Sequence, residues 1–86
     1  MSGSVTMYTT SWCGYCTRLK RQLDEAGVSF REINIEETPG AAAIVERANN
    51  GDQTVPTLVF SDGTSFTNPR VQVVVEKLHE LSGRTN

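Results

Sequence analysis

The chain has 86 residues, 37% of them hydrophobic, with 8 basic and 10 acidic side chains and a formal net charge of −2 at pH 7. That length holds one domain, residues 1–86, with a modest core of one sheet and a few helices. The mixed charge gives no basic face for nucleic acid or an anionic membrane, and no apolar run approaches the ~20 residues that cross a bilayer.

Met1-Ser2-Gly3-Ser4 lacks the basic and apolar parts of a signal peptide, so a cytoplasmic location is expected. Val5-Thr6-Met7-Tyr8 reads as a first strand, central in its sheet. Trp12-Cys13-Gly14-Tyr15-Cys16 follows and contains both cysteines of the chain. Leu19, Leu23 and Ala26 then recur at helical spacing, which predicts a helix from Cys13 to Ala26 that Gly27 closes in the left-handed region. Ser29 to Ile35 is a second strand, and the helix between the two strands makes a parallel, right-handed crossover.

Thr38-Pro39 opens a second helix in this reading. Thr38 is the cap, and Pro39 takes the first helical position, where its missing N–H would be unpaired anyway. Ala41, Ile44, Val45 and Ala48 form the buried stripe, and Asn49-Asn50-Gly51-Asp52 is a loop. Thr57 to Phe60 is a third strand, joined through the tight turn Ser61-Asp62-Gly63 to an edge strand, Thr64 to Thr67. Asn68-Pro69 repeats the cap-then-proline signal before a third helix. Val71, Val74, Val75, Leu78 and Leu81 share one face of it, and Gly83 ends it. Arg84-Thr85-Asn86 is expected to fray. The order βαβαββα describes an α/β fold: a four-stranded mixed sheet flanked by three helices, with an ordered core from about residue 4 to 81. This is a minimal thioredoxin-like arrangement.

Strand, C-x-x-C and helix in that order put Cys13 at a helix N-terminus, where unpaired N–H groups and the positive end of the dipole favour an anion. The anion is a thiolate, the nucleophile of thiol–disulfide exchange, with a pKa below the free value of about 8.5. Cys16 lies one turn further on, less exposed, within reach of a disulfide formed on Cys13. In a reducing compartment such a pair is a reversible catalytic device rather than a staple. A structural zinc site needs about four ligands, and the chain offers two cysteines and one histidine, so no metal is expected. That histidine, His79, reads as a structural or surface residue of the last helix. Thr54-Val55-Pro56 precedes the third strand, where a proline suits the first position or an edge. A cis Val55–Pro56 bond, the minority form at about 5–6% of X–Pro bonds, would turn the Val55 N–H and C=O toward a visiting peptide. Arg18-Leu19-Lys20-Arg21 reads as a solvated helix face that could also dock an acidic partner.

The C-x-x-C of Cys13-Gly14-Tyr15-Cys16, the Thr54-Val55-Pro56 loop and the element order resemble the glutaredoxin family over roughly residues 4–81. The resemblance implies that the cysteines face the Thr-Val-Pro loop, that its proline is cis and that Cys13 is the nucleophile. Members that use glutathione commonly carry a lysine three residues before the first cysteine and a Gly-Gly before the last helix. Thr10 and Thr67-Asn68 stand there in this chain.

Thr9-Thr10-Ser11-Trp12-Cys13-Gly14-Tyr15-Cys16, Thr54-Val55-Pro56-Thr57 and Thr67-Asn68-Pro69 are more closely similar to the mycoredoxins, actinobacterial members of the family. That likeness implies reduction of protein–mycothiol mixed disulfides by a monothiol route through Cys13. Mycothiol is then the co-substrate, and the partners are mycothiolated client proteins and a flavin reductase that recycles mycothiol disulfide. No bound cofactor and a monomer are expected. The uncharged Thr10, Thr67 and Asn68 suit the neutral glycan of mycothiol better than the carboxylates of glutathione. Trp12, Tyr15, Thr54, Val55, Pro56, Thr67 and Asn68 form the expected substrate surface, although Trp12 packed beneath the loop is an equal alternative.

Two rival readings stand beside this one. The first is a dithiol redoxin recharged by thioredoxin reductase and serving ribonucleotide reductase. Such proteins typically carry a Trp-Ser-Gly-Phe-Arg-Pro-Asp-like segment where this chain has Ser65-Phe66-Thr67-Asn68-Pro69-Arg70. The second is an iron–sulfur cluster shared between the Cys13 residues of two chains.

Overall fold

The computed structural model describes residues 5–83; the readings of Met1 to Ser4 and of Arg84-Thr85-Asn86 lie outside them. The elements follow the expected order: β1 (Val5–Thr9), α1 (Gly14–Glu25), β2 (Arg31–Asn34), α2 (Ala41–Ala48), β3 (Thr57–Phe60), β4 (Ser65–Thr67) and α3 (Val71–Gly83). The sheet order is β2-β1-β3-β4. β1 pairs parallel with β2, Thr6 opposite Arg31 and Thr9 opposite Asn34. On its other side it pairs antiparallel with β3, Val5 opposite Phe60 and Tyr8 opposite Thr57. β4 pairs antiparallel with β3 and forms the edge.

Alternation along β1 divides the core between the two faces of the sheet, because successive side chains of a strand point opposite ways. Val5 and Met7 join Leu58 and Phe60 of β3, Leu19 and Leu23 of α1, and Val74 and Leu81 of α3. Tyr8, which follows Met7, packs on the other side with Ile35 and with Ala41 and Val45 of α2. The Phe60 and Phe66 rings meet edge to face, centroids 5.3 Å apart, fastening β4 to β3. Ile44 and Val75, expected within buried stripes, are instead exposed.

α1 ends as its sequence predicts. Gly27 takes a φ of 76°, its N–H bonds to Asp24 O at 3.1 Å, and the Val28 N–H bonds to Leu23 O at 2.9 Å. These bonds satisfy carbonyls that the end of the helix would leave open. The two cap-then-proline signals behave differently. α2 begins at Ala41, not at Pro39, because Gly40 adopts a φ of 84° and the Ala41 N–H closes a turn onto Thr38 O at 3.1 Å. α3 begins at Val71, not at Pro69. Asn68 has a φ of 45°, and the Arg70 carbonyl accepts the first helical bonds, from Val73 N–H at 3.0 Å and Val74 N–H at 3.3 Å. Asn68 is therefore not the cap of α3. Among the described residues no helix is long and apolar enough to cross a membrane.

Candidate functional site: a cysteine pair at the start of α1

β1 delivers the chain to Thr10, whose carbonyl accepts the Cys13 N–H at 3.4 Å, and α1 starts at once. Cys13 is the N-cap, with extended backbone (φ −86°, ψ 107°), and its Sγ accepts the Cys16 N–H at 3.1 Å. A hydroxyl or carboxylate commonly does this at a cap; here a sulfur does. The two cysteines are joined as a disulfide, their Cα atoms 5.2 Å apart. Both are buried, Cys16 at 1% exposure and Cys13 at 6%, and both belong to the core shared with Leu19 and Leu23. On reduction, the amide that contacts Cys13 Sγ is placed to stabilise a thiolate there, since hydrogen bonds to an ionised acceptor are the stronger kind. Cys16 lies behind it, one turn into the helix.

The Val55–Pro56 peptide bond is cis, and Val55 O lies 3.8 Å from Cys13 Sγ. A disulfide sulfur has no proton to donate, so this is a contact that sets the loop against the reactive sulfur. Several bonds hold the loop there. Asn68 N–H donates to Pro56 O at 2.7 Å, which couples the loop to the turn before α3. The Thr57 hydroxyl donates to Thr54 O at 2.7 Å. Asn49, at the end of α2, donates from Nδ2 to Thr57 Oγ1 at 3.0 Å and to Val45 O at 2.9 Å, and accepts from the Thr67 hydroxyl. Composition marked Asn49 only as a loop residue; its part in bracing this loop has no signal in the linear sequence.

Trp12 and Tyr15 flank the pair with 73% and 64% of their surfaces exposed. Trp12 thus projects outward rather than packing beneath the loop. Its Nε1 donates to Glu36 Oε2 at 3.0 Å, and the Ser11 N–H reaches Glu36 Oε1 at 3.5 Å. Asn34 completes the brace, donating to Ser11 Oγ and accepting from the Glu36 N–H, each at 2.9 Å. Nothing in the sequence singles out Glu36, because its partner lies on the far side of a crossover helix.

The structure thus places Trp12 and Tyr15 beside the cysteine pair and Val55 against Cys13 Sγ, with Thr54 and Pro56 in the same loop, Asn68 bonded to Pro56, and Thr67 bonded to Asn49. Of these, Pro56 is buried and Val55 half-buried, while Thr54, Thr67 and Asn68 are exposed. Thr10 lies beneath the site at 7% exposure, its hydroxyl without a hydrogen-bond partner among the described residues. His79 is exposed on α3. Among the described residues no group of three or more His, Cys, Asp or Glu is placed to hold a metal.

A nucleophilic sulfur capping a helix, a second cysteine behind it and a braced carbonyl beside it form a thiol–disulfide exchange site. Comparison with known proteins agrees. The glutaredoxin family model matches residues 5–66. A Mycobacterium tuberculosis protein assigned by name to the glutaredoxins is 43% identical over 83 residues, covering 96% of this chain and 99% of its own. Mycoredoxin 1 of Corynebacterium glutamicum is 38% identical over 79 residues, covering 92% and 98%. Among solved structures, the glutaredoxin of Methanosarcina mazei superposes with a TM-score of 0.76 at 27% identity, covering 88% of this chain and 78% of that one. The glutaredoxin-like NrdH-redoxin of Escherichia coli gives 0.71 at 26%, covering 85% and 92%. The chain belongs to the glutaredoxin family, as a thiol oxidoreductase carrying a Cys13–Cys16 pair.

Proposed function

We propose that this protein reduces protein–mycothiol mixed disulfides, with Cys13 as nucleophile and mycothiol as co-substrate. The observation that carries the reading is Cys13 Sγ at the head of α1, bonded by the Cys16 amide, in a chain matching Mycoredoxin 1 over nearly its whole length. The Cys13 thiolate attacks the mycothiol sulfur of the mixed disulfide. The Cys13–mycothiol bond forms as the protein–mycothiol bond breaks, and the client leaves as a thiolate that takes up a proton. A second mycothiol thiolate then attacks the mycothiol sulfur held on Cys13, releasing mycothiol disulfide and restoring the Cys13 thiolate. The net two-electron change converts mixed disulfide and free mycothiol into client thiol and mycothiol disulfide.

Cys16 has a side route. Its thiolate can displace mycothiol from Cys13, closing the Cys13–Cys16 disulfide that the structure contains. In a monothiol cycle this branch is a detour that shields Cys13 from overoxidation. Three positions suit a neutral thiol: Thr10 carries no charge and is buried, and Thr67 and Asn68 offer uncharged polar groups.

A dithiol cycle is the second reading, favoured by the closed Cys13–Cys16 disulfide and by the likeness to NrdH-redoxin. Turnover of a mycothiolated client by wild type, Cys13→Ser and Cys16→Ser, with mycothiol and its reductase, separates the two. The expected result is no turnover with Cys13→Ser and at least half the wild-type rate with Cys16→Ser. Loss of activity in Cys16→Ser, together with direct reduction of wild type by thioredoxin reductase, would establish the dithiol cycle instead. A higher kcat/KM with glutathione than with mycothiol would defeat the mycothiol assignment.

A further inference from the structure

A cavity of about 260 Å³ opens between the first turns of α1 and the turn that leads into α3. Tyr15, Arg18, Gln22, Asn68 and Arg70 supply its polar lining, over Leu19 and Pro69. Among the described residues no carboxylate lines it. Arg18 and Gln22 stand one turn apart on α1, so both reach the same wall. Among the described residues, neither Arg18 nor Arg70 forms an ion pair. The cationic stretch of α1 is therefore divided: Lys20 is held by Glu32 of β2 at 3.0 Å, while Arg18 lines the cavity.

Both walls are tied to the reactive sulfur. Tyr15 belongs to the motif itself. Asn68 is bonded to Pro56, whose neighbour Val55 touches Cys13 Sγ. Neither cysteine lines the cavity, but Tyr15 and Asn68 join it to the site, so a partner whose sulfur is engaged by Cys13 can reach it with a neighbouring side chain. Two guanidinium groups with planar amides beside them match carboxylate geometry, since each guanidinium can bind both oxygens of one carboxylate. Mycothiol has no carboxylate to place there. The client protein, which must lie against this rim while its sulfur is attacked, can have one.

We infer that the Arg18–Arg70 cavity is a docking subsite for an Asp or Glu side chain close to the modified cysteine of the client, so that acidic flanking sequence sets client preference. This rests on the mixed-disulfide reading above, and the test keeps the two apart. Two peptides, identical except for Asp or Asn beside the cysteine, are prepared as mixed disulfides, one series capped with mercaptoethanol and one with mycothiol. Wild type is expected to favour the Asp peptide by about tenfold in kcat/KM at low salt, the worth of one well-made ion pair. The preference is expected to lie in KM, to shrink as salt rises, and to vanish in R18Q/R70Q. The ratio within one enzyme is decisive, because a general loss of activity cancels from it. Equal kcat/KM for both peptides in wild type, or a preference that survives in R18Q/R70Q, would overturn the subsite. Turnover confined to the mercaptoethanol series would defeat the mycothiol reading alone and leave its ratio to decide the subsite. A Ser-for-Cys version of the Asp peptide gives a readout without chemistry. Amide shifts at Arg18, Gln22 and Arg70 on titration support the subsite, and their absence at millimolar peptide overturns it.

Discussion

Individual side chains do two kinds of work at this site, and only one kind is visible in the sequence. Cys13 and Cys16 are legible because the C-x-x-C spacing, the preceding strand and the following helical pattern all fall within one short stretch. Glu36 and Asn49 are not legible, because each acquires its role from a partner on another element. Glu36 holds Trp12 outward beside the reactive sulfur through a bond to the indole N–H. Trp12 is the only tryptophan in the chain, so the tryptophan signal comes from this side chain alone. Glu36→Ala should free the indole, lowering its fluorescence anisotropy and raising KM for protein clients about fivefold, the equivalent of about 1 kcal/mol for one hydrogen bond. Glu36→Gln keeps an acceptor oxygen and should recover part of the loss. Unchanged anisotropy in Glu36→Ala would show that other contacts set the indole.

At the scale of elements, strand order and pairing follow from patterns the chain displays openly: alternation in β1, helical spacing in α1, a Gly-containing turn between β3 and β4. Two helix starts lie further along the chain than the cap-then-proline signals predict, and the two share a cause. A polar residue followed by proline is compatible with the first turn of a helix, but also with a tight turn just before it. What decides is whether the next residues are recruited elsewhere. Asn68 is recruited by Pro56, and Gly40 by a left-handed turn. An added Cβ at Gly40 would meet no atom within 4 Å, so only backbone conformation opposes a larger residue. Gly40→Ala should therefore cost about 1–2 kcal/mol, the penalty of a left-handed residue with a side chain, and lower the thermal midpoint by several degrees. A midpoint equal to wild type would mean that the turn relaxes and α2 lengthens toward Pro39.

Across the whole molecule, the sheet is held at its outer edge by charge as well as by packing. Lys77 of α3, largely shielded from solvent, bonds Asp62 in the β3–β4 turn at 2.9 Å and Glu80 at 3.3 Å. The Lys77 ammonium and the Thr64 N–H hold the Asp62 carboxyl well below the usual carboxylate range, and Asp62 in turn raises Lys77. Because the folded Asp62 is the stronger acid, its stabilising effect is full above the unfolded value of about 3.9 and is lost as pH falls below it. Lys77 runs the other way: its effect is full below about 10.4 and is lost as pH rises through its higher folded value. Urea midpoints of wild type and Asp62→Asn should thus differ by a steady amount near neutrality, and the gap should narrow below about pH 4. A gap independent of pH would assign the contact no electrostatic weight. Nothing in the linear sequence joins residue 62 to residue 77; only the register of β3 on β4 and the docking of α3 bring them together.

The amide of Cys16 has one further use. Its hydrogen points at Cys13 Sγ, so the electron density on that sulfur governs how tightly the hydrogen is held. A thiolate grips it, a thiol or a disulfide sulfur much less. The nuclear resonance of this single backbone proton and its rate of exchange with deuterated solvent are therefore a native gauge of the reactive sulfur. They distinguish the charged sulfur from its protonated and oxidised forms with no label attached and no residue changed.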